Sequence, residues 1–293
     1  MTLTQALTQE RPETSAQLLA QRYASVLVHV EPVPGARQRL QVAVELARDL
    51  QARLIGLGAE TIEPFPAPDP LMGYATGEWL VLLQEQVNND LQAAEKAFRK
   101  EAEGLDGEWR SAQDFPIRAL VRNARAADLV VASPQARGGG CRSVDPAELV
   151  MTAGRPVLLA PPGARRLRGE AVVVAWKDTR EARRAVADAL PLLSRANDVI
   201  VQAVCAAQED ENAAFQAADV CAALRRHGVK ARPAAARGGP DEVVAILTKT
   251  AEQAGADLIV AGAYGHSRAR EWVFGGVTFE LMRHVPCFLL LSH

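Results

Sequence analysis

The words Ala127-Asp128-Leu129-Val130-Val131-Ala132 and Ala256-Asp257-Leu258-Ile259-Val260-Ala261 stand 129 residues apart in a chain of 293. A second pair, Arg155-Pro156-Val157-Leu158-Leu159 and Val285-Pro286-Cys287-Phe288-Leu289, repeats at an offset of 130. Each is a short apolar run, the pattern of a strand buried on both faces of a parallel sheet. A period this long indicates tandem domains rather than a solenoid. The length agrees, since either half can bury a core of its own.

Between the repeated words, strand-like and helix-like patterns alternate. In the first half, strands are predicted at 25–30, 53–57, around Glu108-Trp109-Arg110, at 128–132 and at 155–160. Helices are predicted at 37–50, from Trp79 to Glu103 after a proline-rich loop, at 117–126, and after the Asp145-Pro146 cap. The second half repeats the pattern: strands at 171–175, 199–204, 229–235, 257–261 and 287–291, and helices at 180–193, 212–227, 241–254 and 277–284. Five strands and four helices in each half predict an α/β fold of two tandem open parallel sheets, Rossmann-like, with right-handed crossovers. Residues 1–23 read as an N-terminal tail, 24–164 as the first domain and 170–293 as the second.

Composition excludes several classes. With 33 basic and 35 acidic residues the net charge is −2, so global charge implies no nucleic-acid partner. No apolar run is long enough to span a bilayer, and the polar start lacks the regions of a signal peptide; a cytoplasmic protein with no membrane association is expected. Cys141, Cys205, Cys221 and Cys287 have no CxxC spacing and read as free thiols. The five histidines are dispersed, and no metal site is predicted.

One stretch carries a candidate site. After the strand ending at Ala261 comes a loop with Gly262, Gly265, Gly275 and Gly276, then a short helix with Arg283 and His284 at its basic end. Glycines let backbone N–H groups approach an anion, and a helix start adds unpaired donors and the positive dipole end. Neither GxxxxGK[ST] nor GxGxxG is present. The spacing is Gly262-x2-Gly265-x9-Gly275, followed by Gly276-Val277-Thr278, and the loop also holds His266, Ser267 and Arg268, able to donate to phosphate oxygens.

This spacing resembles the ATP-binding signature of the universal stress protein family, and the resemblance to a tandem pair of such domains, adenine nucleotide alpha hydrolase-like in fold, spans nearly all of 24–293. It rests most on Gly-Ala-Tyr-Gly-His-Ser-Arg at 262–268 and Ala-Trp-Lys-Asp-Thr-Arg-Glu-Ala at 175–182. It implies that strands one and four of each half meet at the switch point, where ligands bind. Trp176, Lys177 and Asp178 then face the glycine loop, and Val204 takes the position that lies against adenine. It also implies ATP or another adenine nucleotide as ligand, with Mg. Departures are visible. Family members carry a hydroxylated residue where Gly276 stands, and an aspartate where Lys177 and, in the first half, Glu31 stand. Asp178 is one residue late, and the first half lacks the glycine spacing.

Two functional readings follow, and a third, a nucleotide-activating enzyme of the adenine-hydrolase type, would need an acidic or cysteine nucleophile near the loop, where none is assigned. One is a non-enzymatic stress-response protein binding an adenine nucleotide in its C-terminal domain, with slow ATP hydrolysis left open and no catalytic residue assigned. The other is an interaction module whose site has degenerated. The resemblance further implies pairing of the two halves through 157–160 and 287–291, and a homodimer of chains.

Overall fold

The computed structural model describes residues 22–32, 34–62, 73–134, 143–206, 210–263, 276–284 and 286–293. Within them, ten strands form one sheet. In chain order these are β1 (Ser25–His29), β2 (Arg53–Glu60), β3 (Gly107–Gln113), β4 (Leu129–Ala132), β5 (Val157–Leu159), β6 (Ala171–Trp176), β7 (Asp198–Cys205), β8 (Ala231–Arg237), β9 (Leu258–Gly262) and β10 (Phe288–Ser292). The helices are α1 (Pro34–Leu50), α2 (Gly73–Glu101), α3 (Pro116–Ala124), α4 (Pro146–Thr152), α5 (Arg180–Leu193), α6 (Asp210–Arg226), α7 (Val243–Ala254) and α8 (Gly276–His284), with a 3₁₀ turn at Pro240–Glu242.

The strand order is β3-β2-β1-β4-β5-β10-β9-β6-β7-β8. Every pairing is parallel except that of β5 with β10, where Leu159, Leu158 and Val157 face Leu289, Leu290 and Leu291 in antiparallel register. From that shared edge outward both halves run in the same order, and the two expected sheets are one continuous sheet. β1 pairs with β4 and β6 with β9, in matching register.

Alternate residues along the strands feed two cores. Val26, Val28, Val172, Val174, Leu258 and Val260 face α1, α2, α5 and α6; Leu27, Val130, Val173, Ile259 and Leu291 face α3, α4, α7 and α8. Strands covered on both faces read as continuous apolar runs, as these do. At Gly56 in β2, an added Cβ would lie 2.4 Å from the Phe98 ring, so the glycine admits α2 against the sheet.

The carboxylates of the repeated word do the same work twice. Asp128, ahead of β4, accepts from the N–H groups of Ala24 and Ser25 at 2.8 and 3.0 Å. Asp257, ahead of β9, accepts from Arg168 and Gly169 at 2.7 and 3.0 Å. Each ties the start of its half's first strand to the fourth.

Several boundaries differ from the sequence prediction. α2 begins at Gly73, six residues before Trp79, and ends at Glu101 rather than Glu103. Its early turns stand clear of the sheet, leaving Trp79 46% and Leu82 60% exposed. Tyr23, which the sequence leaves in the tail, is buried, and its hydroxyl donates to the carbonyl of Asp188 in α5. Residues 1–21, Cys141, the loop 264–275 and Trp272 lie outside the described residues.

Candidate functional site

In the second half, β6 and β9 run side by side and end at Trp176 and Gly262. This is the switch point of the half, because β7 and β8 lie beyond β6 and β10 lies beyond β9. The chain leaves β6 through Lys177 and Asp178 to Thr179, which caps α5 by accepting from the Ala182 N–H at 3.2 Å. Gly262 abuts this first turn: a Cβ there would lie 2.4 Å from the nitrogen of Ala182 and 2.5 Å from the carbonyl carbon of Glu181. The first glycine of the signature is therefore fixed by packing between strand end and helix start.

That helix start already holds an anion. Glu181 is 6% exposed. Burial would raise its carboxyl, but a hydrogen bond from its own backbone N–H and the Arg180 guanidinium hold it below the ordinary carboxylate value. The positive end of the α5 dipole is thus satisfied by the chain itself.

The start of α8 is different. Gly276 is exposed, and a Cβ on it would meet nothing within 4 Å among the described residues. Val277 is half-buried and Thr278 buried, so the first turn is anchored while no described residue covers its N-terminal edge. α8 packs against α7 and against the 3₁₀ turn at Pro240–Glu242, where Glu242 accepts from the Gly239 N–H at 2.8 Å. This acidic turn borders the site and was not predicted to; its Gly-Gly-Pro-Asp run is a turn signal available in the sequence.

The other predicted residues divide between faces of the sheet. Trp176 is buried on the face of α5, and its Nε1 has no hydrogen-bond partner among the described residues. Ser292 Oγ, in register with Gly262 on that face, is also buried without a partner among the described residues. Val204 is half-buried on the opposite face, beside Gly238 and α7. Asp178 is exposed and paired with Arg183 at 2.5 Å; Lys177 is exposed. Gly265, His266, Ser267, Arg268 and Gly275 lie outside the described residues. The structure thus brings Trp176, Lys177, Asp178 and Gly262 to one edge and places Gly276, Val277 and Thr278 on the helix that covers the Val204 face.

The corresponding crevice of the first half is filled. Arg39 reaches from α1 over the ends of β1 and β4, is 8% exposed, and donates to the His29 carbonyl from Nε at 3.1 Å and Nη2 at 2.8 Å. Its Nη1 donates to Ser133 Oγ at 3.1 Å, and Nη2 stands 3.4 Å from Glu31. His29 Nδ1 lies 2.7 Å from Glu31 Oε1, close but poorly aligned for a hydrogen bond, and Nε2 faces the Ala59 carbonyl at 3.3 Å. Burial alone would raise the Glu31 carboxyl; the imidazole and guanidinium beside it bring it down to about 2. The remaining space, about 20 Å³, has room for one water. Arg39 was not among the predicted site residues.

Residues 170–293 match the family model described as "Universal stress protein family" and form a domain of that family. No curated protein matches the sequence. Among solved structures, a universal stress protein from Archaeoglobus fulgidus superposes with a TM-score of 0.66 at 12% identity, covering 92% of this chain and 95% of that one. A putative universal stress protein from Pseudomonas aeruginosa UCBPP-PA14 gives 0.57 at 16% identity, over 94% of each chain. A functionally unknown protein from Pseudomonas aeruginosa PAO1 gives 0.56 at 16%, over 95% of this chain and 94% of its own. These likenesses establish the fold over both halves.

Proposed function

We propose that the chain is a tandem pair of universal stress protein domains, 24–164 and 170–293, and that the second binds ATP or another adenine nucleotide while the first holds its crevice shut with Arg39. The observation that carries this reading is the contrast between the two helix starts in the second half. The α5 turn is closed by Glu181 and by contact with Gly262, whereas at the α8 turn no described residue comes within 4 Å of a Cβ built on Gly276. An exposed, anchored helix start is a site for phosphate, and its backbone donors do not depend on the hydroxyl that Gly276 lacks. Mg, where present, would accompany the phosphates. The role is binding rather than turnover, and no residue is assigned as catalytic.

The test uses Gly276→Asp. No described residue obstructs a side chain at this position, so the variant folds, and a carboxylate favours a helix start while repelling phosphate. Binding of ATP, followed by calorimetry, falls at least tenfold in the variant with no loss of melting temperature. Equal binding by both proteins would remove α8 as the phosphate site.

A second reading, an interaction module without nucleotide, is favoured by one observation: Asp178, one residue after the place of the family's aspartate, is engaged by Arg183. On that reading ATP leaves the melting temperature unchanged, and partner capture is indifferent to ATP. Pairing of two chains and a cytoplasmic location belong equally to both readings.

A further inference from the structure

An open cleft of about 570 Å³ lies where the segment joining the halves crosses the C-terminal ends of α1 and α5. Its charged lining is Asp49, Arg165, Arg166, Arg168, Glu170 and Arg195. Four guanidinium groups against two carboxylates leave an excess of two positive charges, on a chain whose net charge is −2. The cleft precedes β6, at the opposite end of that strand from Trp176 and the nucleotide crevice.

Two of the arginines have local work. Arg166 forks onto the Asp49 carboxylate at 3.0 and 2.7 Å, and Arg195 donates to the Asp49 carbonyl at 2.7 Å, near the negative end of α1. Arg165 and Arg168 are exposed, and their guanidinium groups have no hydrogen bond or ion pair among the described residues.

Their backbone is nevertheless held at four points. Gln38 donates to the carbonyls of Pro161 and Ala164 at 3.0 and 2.7 Å. Arg166 is tied to Asp49, Leu167 is buried at 6% exposure, and the Asp257 carboxylate accepts from the N–H groups of Arg168 and Gly169. A pinned segment thus presents two unengaged guanidinium groups on either side of an anchored leucine. A backbone held in place before binding loses little further entropy on binding, and guanidinium forks match the oxygens of phosphate groups. Among the described residues no aromatic side chain lines the cleft, so none of them would stack a base there.

We propose that this cleft binds a small polyanion of the phosphate class, with at least two negative charges, held by Arg165 and Arg168. Asp49 comes from the first half and Arg195 from the second, so the ligand sits where both meet the joining segment. A free polyphosphate and the phosphate tail of a nucleotide share this chemistry, and the test separates them.

The experiment is a thermal shift and calorimetric titration of the full chain with inorganic tripolyphosphate at low salt, on the native protein, the Arg165→Ser/Arg168→Ser double variant and Gly276→Asp. Both exchanges in the double variant are at exposed positions without partners, so its melting temperature without ligand stays that of the native protein. Tripolyphosphate at ten times its Kd raises the melting temperature of the native protein and of Gly276→Asp by about 3 °C. In the double variant the rise disappears and affinity falls at least tenfold, while ATP binding is retained. Equal tripolyphosphate affinity in the double variant, loss of it in Gly276→Asp, or no binding to the native protein would each overturn the proposal.

Discussion

A methyl group on Gly262 would lie 2.4 Å from the backbone nitrogen of Ala182, across the junction between the end of β9 and the first turn of α5. The obstructing atoms are backbone, so no side-chain rotation relieves the contact. Gly262→Ala therefore destabilises the fold by about 1–3 kcal/mol through overpacking. Denaturant unfolding reads this as a lower midpoint with an unchanged slope. A native midpoint would show that the strand end and the helix are not so closely packed.

Asp128 and Asp257 make matching pairs of hydrogen bonds to the backbone at the starts of β1 and β6. Each of these bonds joins a carboxylate to a backbone N–H, and truncation leaves two backbone donors without that acceptor in each half, with the Ser25 hydroxyl, which donates to Asp128 at 3.0 Å, as a third in the first. Asp128→Ala and Asp257→Ala each cost about 1–3 kcal/mol, in similar measure. Stability of the two variants by equilibrium unfolding checks the equivalence; a neutral Asp257→Ala beside a damaging Asp128→Ala would break it.

These two carboxylates show why so much of the fold was legible. The repeated word carries a strand with its anchoring acid, and Asp145-Pro146 carries a helix cap, the Asp145 side chain accepting from Ala147 at 2.9 Å. Such signals are local, so sequence holds them. The helix at Arg180–Leu193 matches its predicted limits, because capping and apolar spacing agree there. The start of α2 was missed since Gly73 and Gly77 read as loop residues, although the helix passes through both.

The candidate site was less legible for a physical reason. Arg39 reads as one more arginine of an amphipathic helix; its partners His29, Glu31 and Ser133 come from the ends of two other strands, and the Ser133 contact spans 94 residues. Trp176 ends β6 and Val204 stands one residue before the end of β7, yet the two strands pair Trp176 with Ala203, which turns Val204 to the other face. Side-chain direction follows from register, and register is a tertiary property.

Acid stability should reflect Glu31. Its carboxyl falls from an ordinary value of 4.5 to about 2 in the folded protein. A depressed carboxylate stabilises the fold above its unfolded pKa, and that contribution is lost as pH falls through the folded one. The window is therefore pH 4.5 to about 2, and the loss is about 3 kcal/mol. Unfolding curves across this range should be steeper for the native protein than for Glu31→Gln. Parallel curves would show that Glu31 is not held by His29 and Arg39.

Removing Arg39 leaves a buried carboxylate and the His29 carbonyl short of their donor. Arg39→Ala costs about 3–5 kcal/mol, the usual result of breaking one side of a buried pair. Millimolar guanidinium ion, added at a concentration below its denaturing range, should recover part of the lost melting temperature in this variant and none in the native protein. Absence of any difference would mean the guanidinium is not what closes the crevice.

The measurement that bears most directly on one nucleotide site per chain is the amount of adenine nucleotide released by acid from freshly purified protein, identified by chromatography and mass spectrometry, for the native chain, Arg39→Ala and Gly276→Asp. The second-half site requires about one nucleotide per chain in the native protein and in Arg39→Ala, and almost none in Gly276→Asp. No nucleotide released from the native protein, with no thermal shift on added ATP, or a yield unchanged by Gly276→Asp, would contradict it.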